Sequence, residues 1–219
     1  MRFRNRSRAG QLLAELLRDY IARADVLVLA LPRGGVPVGY EVAKHLRAPL
    51  DVIVVRKLGV PGHRELAMGA IASGGVMLLN EDVVGALDIP RQVVDSVVGA
   101  EQQELERRER VYRAGRPLPD VQDQTVIVVD DGLATGASML AAVRALRRRG
   151  AQRIVVAVPV AAADTCTAVR READECICLV EPAQFYAVGA WYEDFSEVSD
   201  DEVCDLLERA RIELGATPL

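Results

Sequence analysis

Aromatic residues are scarce in this sequence, since Phe, Trp and Tyr make up only 4% of its 219 residues. Hydrophobic residues nevertheless account for 50% of the chain, so Val, Leu, Ala and Ile must fill the core. That content predicts a folded chain, because disordered segments have too few apolar side chains to bury. It also favours a parallel sheet buried on both faces over an antiparallel sandwich.

An excess of positive charge is also absent, because the formal net charge is −5. A general nucleic-acid-binding protein is usually basic, so we expect no nucleic-acid partner. The longest apolar run, Ile154 to Ala163, is far shorter than the ~20 residues of a membrane helix. The N-terminus shows no secretory signal pattern. We therefore expect a cytoplasmic protein with no membrane partner.

Cysteine is limited to four residues, and their spacing lacks the paired ligands of a structural zinc site. We predict that Cys166, Cys176, Cys178 and Cys204 are free thiols in a reducing compartment.

Short aliphatic runs alternate with helical patterns along the chain. The predicted strands cover 26–31, 51–55, 125–129, 153–158 and 175–180. The predicted helices cover 11–22, a stretch ending near His45, 90–113, 135–149, 162–172 and 199–214. This alternation implies right-handed crossovers, and it predicts an α/β fold with a doubly wound parallel sheet of about five strands. We expect a single domain with a core of about 25–180 and an inserted helical segment of about 81–114.

Two segments between these elements have less regular patterns. Residues 58–75 are rich in Gly, so we expect a long flexible loop there, with a small hairpin at 67–79. In the helix predicted from Pro90, Val98, Leu105 and Tyr112 recur every seven residues and form an apolar seam. We interpret this helix as having a solvated face beside that seam. Use of the seam as a homodimer contact stays open.

The segment Val126 to Ser138 carries the most chemical information. Four aliphatic residues predict a buried strand, and Asp130 with Asp131 stands at its carboxyl end, where open α/β sheets bind ligands. A loop of small residues then enters a helix, so that backbone N–H groups and the helix dipole face one anion. Hydroxyls are good partners for carboxylates, and ribose 5-phosphate presents hydroxyls beside a phosphate. No Lys follows Gly136, which excludes a Walker loop, and the glycine spacing excludes the dinucleotide fingerprint.

Residues Val128 to Ser138 resemble the phosphoribosyl-diphosphate motif of the type I phosphoribosyltransferases. The resemblance implies that Asp130 and Asp131 are catalytic, hold the ribose hydroxyls, and contact a metal ion only indirectly, through those hydroxyls or water. The implied donors to the 5-phosphate are Thr135, Gly136, Ala137 and Ser138, and Ala134 is a substrate-binding position in the same loop.

Leu31 to Val36 resembles the diphosphate-binding loop of the same family, which implies a substrate-binding role for Arg33, Gly34 and Gly35. Arg56 and Lys57 follow the second predicted strand, where the family carries basic residues toward the diphosphate. Lys57 is taken as catalytic and Arg56 as substrate-binding, although a solvated basic pair is the alternative.

Residues 59–69 correspond to the loop that closes over the reacting centre in this family. His63 and Arg64 would then reach the departing diphosphate. A surface histidine is the alternative for His63.

An aromatic cluster in residues 182–195 resembles the hood that covers the acceptor, together with the N-terminal arm. The predicted hood spans about 181–198. Phe185 or Trp191 is expected to stack on a planar acceptor, while packing of a small subdomain is the alternative. Alternating arginines at positions 2, 4, 6 and 8 are interpreted as a solvated or hood-lining strand.

The resemblance implies displacement of diphosphate from 5-phosphoribosyl 1-diphosphate by a nitrogen acceptor, possibly a nucleobase, with Mg²⁺ as cofactor. The 6-oxopurine enzymes of the family use an acid at the position of Ala134 and a lysine at the end of the fourth strand. Here the first position is Ala, and residues 156–163 contain no lysine. Both departures argue against hypoxanthine or guanine without establishing adenine. A non-catalytic sensor of phosphoribosyl diphosphate or a nucleotide is the second hypothesis. Reaction of a ribose 5-phosphate compound with water or phosphate is the third.

Overall fold

Alternating strands and helices build the chain, and the computed structural model describes residues 2–214, apart from the side chains of Arg64 and Glu65. In chain order the elements are α1 (Arg6–Glu15), β1 (Val26–Ala30), α2 (Gly35–Leu46), β2 (Leu50–Val52), β3 (Val55–Val60), β4 (His63–Ala72), β5 (Val76–Leu79), α3 (Glu81–Ala86), α4 (Arg91–Arg113), β6 (Thr125–Val129), α5 (Ala137–Arg148), β7 (Arg153–Val160), α6 (Ala163–Arg170), β8 (Glu175–Val180) and α7 (Asp200–Leu214). Short 3-10 helices lie at Arg18–Tyr20 and Val188–Trp191.

A parallel five-stranded sheet in the order β2-β1-β6-β7-β8 forms the centre of the fold. All residues of β1 and β6 are buried, as expected for strands covered on both faces. Helices α1 and α2 pack on one face, where Leu13, Val42 and Ile127 share a core cluster. Helices α5 and α6 cover the other face, where Leu146 and Val128 share a second cluster. The predicted doubly wound α/β fold is confirmed.

A second, antiparallel sheet of β3, β4 and β5 replaces most of the loop expected at 58–75. The hairpin predicted at 67–79 is confirmed, but β4 starts earlier, at His63, and pairs with β3 as well. Leu58 and Met68 are buried in the core below this sheet. A glycine in β4 has a packing role, since a Cβ on Gly69 would lie 2.4 Å from the Leu78 carbonyl oxygen. The glycine content of this segment therefore predicted a loop, whereas Gly69 is required there for close packing of two strands.

Helix α4 packs its apolar seam inside the chain. Leu105 and Tyr112 are 1% and 2% exposed, and Val98 packs against the same cluster. The buried Arg113 at the end of α4 donates to Asp51 Oδ1 at 3.0 Å, which ties the helix to β2. Leu105 and Tyr112 of the seam are therefore covered within the chain, while a contact of the seam with a second copy stays a prediction.

The N-terminal arm is helical from Arg6, not a strand of alternating arginines. Asn5 caps α1 by accepting a hydrogen bond from the Arg8 backbone N–H at 2.9 Å, which is the usual role of Asn at this position. Before this helix, Phe3 forms an extended bridge with Tyr192. Within residues 2–214, no helix has the length and apolar character needed to cross a membrane.

Candidate active site

The two acids that follow β6 lie at the carboxyl end of the central sheet. Asp130 Oδ1 accepts a hydrogen bond from the Asp131 backbone N–H at 2.8 Å. Burial, and then the adjacent Asp131 carboxylate, raises the pKa of Asp130 well above its ordinary value. Burial also raises the pKa of Asp131, while Arg6 acts in the opposite direction. Two partly desolvated carboxylates at a strand end are typical of a ligand site.

The loop between the acids and α5 leaves several groups open to an anion. Ala134, Thr135, Ala137 and Ser138 are exposed, and α5 begins among them at Ala137. The N-terminal N–H groups of a helix have no partners inside the helix, so they can donate to a phosphate. Gly136 adopts a left-handed conformation with a φ of 70°, which reverses the chain into the helix.

Helix α6 supports this loop from behind. The Thr165 hydroxyl donates to the Ala134 carbonyl oxygen at 2.5 Å. A Cβ on Gly136 would lie 2.6 Å from Thr165 Cγ2. Thr165 therefore holds the backbone of the loop, a contact that sequence reasoning missed because Thr165 lies in a different helix.

The loop from Leu31 to Val36 packs directly against the acids. A Cβ on Gly34 would lie 2.0 Å from Asp131 Oδ2, and one on Gly35 would lie 2.8 Å from the Val129 carbonyl oxygen. Neither position has room for a side chain. The structure thus brings the predicted diphosphate loop and the acid pair into contact.

The Arg33 side chain in that loop is already engaged. It pairs with Glu197 and lies 4.0 Å from Asp200 at the start of α7. A ligand would have to compete with Glu197 for this guanidinium.

The two basic residues of β3 face in different directions. Arg56 pairs with Glu101 of α4 at 2.7 Å, so it does not join Lys57 at one ligand. Lys57 lines a cavity of about 530 Å³ together with Ala137, Ser138 and other residues. Neighbouring residues of a strand point to opposite faces, which explains the separation. Of the two, Lys57 is the one placed beside the first residues of α5.

The remaining predicted loop residues, His63 and Arg64, lie at the start of β4, directly after its turn with β3. His63 is exposed there. The side chain of Arg64 lies outside the described part of the structure.

The aromatic hood and the N-terminal arm form one packed unit. Phe185 and Trp191 pack against a buried cluster that contains Phe3 and Tyr192. The Phe3 backbone N–H donates to the Trp191 carbonyl oxygen at 2.7 Å. Packing of a small subdomain therefore accounts for much of the aromatic clustering, and stacking of Phe185 or Trp191 on an acceptor stays a prediction.

Two further contacts join the hood to the acid loop. The Tyr192 hydroxyl donates to the Asp131 carbonyl oxygen at 2.6 Å, and burial raises the pKa of Tyr192. Arg6 Nε donates to Asp131 Oδ2 at 2.8 Å. The alternating arginines drew attention to the arm, but their spacing did not indicate that Arg6 reaches the acid 125 residues away.

The cysteines are free, as predicted. The fold also groups ligand atoms that their spacing did not indicate, since the thiols of Cys166 and Cys178 and a carboxylate oxygen of Glu181 lie within 4.8 Å of one another. Glu181 is paired with Arg170, and burial raises the pKa of the Cys176 thiol nearby to about 12. Burial also raises the pKa of the Cys166 and Cys178 thiols, which disfavours the thiolate form that binds metal ions.

Comparison with known proteins agrees with this geometry. Residues 62–194 match the family model described as "Phosphoribosyl transferase domain", which is more than half of the chain. The protein belongs to the phosphoribosyltransferase family.

Similar proteins share most of the chain. Two proteins from strains of Mycobacterium tuberculosis, both named "Putative phosphoribosyl transferase", are 47% identical over 95% of this chain. The chain spans only 47% of the length of these relatives. The crystal structure of the protein TT1426 from Thermus thermophilus is 42% identical, covers 95% of this chain and 99% of its own, and superposes with a TM-score of 0.83.

Proposed function

We propose that the protein transfers the ribose 5-phosphate unit of 5-phosphoribosyl 1-diphosphate to a nitrogen acceptor and releases diphosphate. One observation carries the proposal. The acid pair Asp130–Asp131 lies between an open anion loop and a glycine loop that has no room for side chains. Sugar hydroxyls flanked by a phosphate and a diphosphate have the chemistry to fill these three positions together.

Each part of the site has a separate role in the proposal. The exposed groups of Thr135, Ala137 and Ser138 would hold the 5-phosphate. Asp130 and Asp131 would accept hydrogen bonds from the ribose hydroxyls. The backbone of Gly34 and Gly35 would approach the diphosphate.

Lys57 is the basic side chain that we assign to the phosphate-bearing side of the substrate. It lines the cavity beside Ala137 and Ser138. A lysine ammonium is a compact charge suited to phosphate oxygens. Arg56 is left out of the proposed site, because Glu101 neutralises it on the opposite face.

The donor set fits a magnesium-chelated substrate. Mg²⁺ prefers carboxylate, phosphate and water oxygens and usually keeps several waters. The oxygens of Asp130 and Asp131 are suited to indirect contact through sugar hydroxyls or water. When bound, Mg²⁺ would offset the negative charge on the departing diphosphate.

The proposed reaction forms a bond from the acceptor nitrogen to C1 of the sugar and breaks the bond from C1 to the diphosphate oxygen. The diphosphate leaves with the bonding electrons, the configuration at C1 inverts, and the acceptor nitrogen loses a proton. The transition state resembles an oxocarbenium ion, as in other glycosyl transfers. Asp130 and Asp131 would orient the ring and favour developing positive charge. The hood, tied to Asp131 through Tyr192, would limit the access of water.

The acceptor is a planar nitrogen base in this proposal. Phe185 or Trp191 would supply the stacking surface. Ala134 provides no acid toward the base, and the segment 156–163 provides no lysine, which disfavours hypoxanthine and guanine.

The free cysteines fit the cytoplasm as the compartment.

The test is diphosphate release by the purified protein with Mg²⁺ and phosphoribosyl diphosphate across a panel of bases and amines. We expect release with one planar base, and its loss in a double variant that combines Asp130→Asn and Asp131→Asn with an unchanged circular dichroism spectrum. Binding by calorimetry without turnover would support a sensor instead. Ribose 5-phosphate as the product, detected by mass spectrometry, would indicate reaction with water. Unchanged affinity of the double variant for phosphoribosyl diphosphate would contradict the assignment of Asp130 and Asp131 to the site.

A further inference from the structure

Arg6 reaches the proposed sugar site from the first turn of α1. Its Nε lies 2.8 Å from Asp131 Oδ2, and the two side chains are only 11% and 14% exposed. An ion pair this little exposed loses much of the hydration of both charges, so it adds less to stability than its distance suggests. Its position on a proposed substrate ligand points to a role beyond folding.

The guanidinium group is held on three sides. Besides Asp131, Nη1 donates to the Ser196 carbonyl oxygen at 2.7 Å. The Phe195 ring centroid lies 3.9 Å from the guanidinium carbon, within cation–π range. Arg6 therefore joins the N-terminal arm, the acid loop and the hood through one rigid planar group.

Arg6 and the Gly34 backbone both lie close to Oδ2 of Asp131. A Cβ at Gly34 would lie 2.0 Å from Oδ2 and 3.2 Å from Arg6 Nε. A carboxylate has about four acceptor sites on its two oxygens, so a single N–H donor leaves acceptor capacity for sugar hydroxyls. Arg6 thus orients the carboxylate without using all of its hydrogen-bonding capacity.

We propose that Arg6 is a positioning residue that orients the Asp131 carboxylate toward the ribose hydroxyls and couples sugar binding to docking of the hood. This inference rests on the proposed function, because it requires Asp131 to bind the sugar. The residue acts through Asp131 and does not need to touch the reacting atoms.

The experiment separates hydroxyl recognition from phosphate binding. Calorimetry compares ribose 5-phosphate, 2-deoxyribose 5-phosphate and inorganic phosphate on the wild type and on Arg6→Gln, Arg6→Lys and Arg8→Gln. Arg8 is the matched control, because it is an exposed arginine of the same helix that contacts Gln11. Thermal unfolding of each variant checks that it is folded.

In Arg6→Gln, we expect the preference for ribose over deoxyribose to fall about tenfold, which corresponds to the loss of one charged hydrogen bond. Phosphate affinity should stay within about twofold, since the anion loop is untouched. Arg6→Lys should restore part of the preference, and Arg8→Gln should behave as the wild type.

Three outcomes would overturn the inference. An unchanged preference in Arg6→Gln would show that Asp131 needs no orientation by Arg6. An equal loss of all three ligands would show a structural role only. If the wild type binds none of these sugar phosphates, the proposed function fails and this inference fails with it. If the wild type binds them and only the first or second outcome occurs, the proposed function survives.

Discussion

Replacing Gly34 with alanine is the sharpest test of contact between the glycine loop and the acid pair. The backbone at Gly34 has φ and ψ of −59° and −29°, which alanine adopts easily, so the cost of Gly34→Ala is steric. The new Cβ would lie 2.0 Å from Asp131 Oδ2 and 2.7 Å from its Cγ. Since ordinary contacts begin at 3.4 Å, the carboxylate or the loop must move by about 1.4 Å.

A shift of this size should damage ligand binding more than folding. We expect sugar-phosphate affinity to fall about 100-fold, as displacements near 1 Å do at reacting sites. Stability should fall by about 1–3 kcal/mol, as for an extra methyl group in a packed site. The assays are calorimetric titration with ribose 5-phosphate and urea denaturation.

A second glycine offers a matched control. A Cβ on Gly99, in the middle of α4, meets no heavy atom within 4 Å, so Gly99→Ala should stabilise the protein by up to about 1 kcal/mol. Its ligand affinity should be unchanged. Wild-type sugar-phosphate affinity in Gly34→Ala would refute the reasoning. An equal loss of inorganic phosphate binding would show that the damage reaches the anion loop and is not specific to the acids.

Three other predictions follow from the same geometry. Burial and Asp131 raise the pKa of Asp130, so the native protein binds a proton there more tightly than the unfolded chain and loses stability as pH rises toward the raised pKa. Asp130→Asn should therefore be more stable by about 1 kcal/mol at neutral pH, and thermal unfolding across pH should show the gain vanish in acid. A constant gain at every pH would contradict this. Thr165→Val removes the hydroxyl that donates to the Ala134 carbonyl oxygen. Phosphate affinity measured by calorimetry should then fall about fivefold. An unchanged affinity would show that α6 does not support the loop. Leu105→Ala should lower the free energy of unfolding, measured by urea denaturation, by about 3 kcal/mol. Val111→Ala, at a 39% exposed position of the same helix, should lower it by less than about 0.5 kcal/mol. Equal losses in the two variants would contradict the described packing of α4.

The central sheet could be predicted because its strands carry local signals. The run Thr125–Val129 is aliphatic and buried, and the strand Glu175–Val180 matches its predicted bounds. The start of α7 has a local signal too, because a Ser three residues before a Glu is typical of a helix N-terminus, and the Ser199 hydroxyl oxygen accepts from the Glu202 N–H at 3.1 Å.

The antiparallel sheet was harder to predict because its glycines resemble those of a loop. Gly69 is needed for close approach to Leu78, and that need becomes visible only once the strands are paired. Arg56 and Lys57 presented a related problem. Because they are adjacent in sequence, both were assigned to one ligand. Neighbouring side chains of a strand point to opposite faces, so Arg56 pairs with Glu101 and Lys57 lines the cavity beside α5.

By itself, the sequence determined the buried strands, the acid pair at the end of β6 and the small-residue loop before α5, because burial, turns and helix starts depend on neighbouring residues. Only the tertiary structure decided that Arg6 meets Asp131 and that Leu105 and Tyr112 of the α4 seam face inward. These contacts join residues far apart in the chain, so they depend on strand order and helix packing, which residue spacing does not specify.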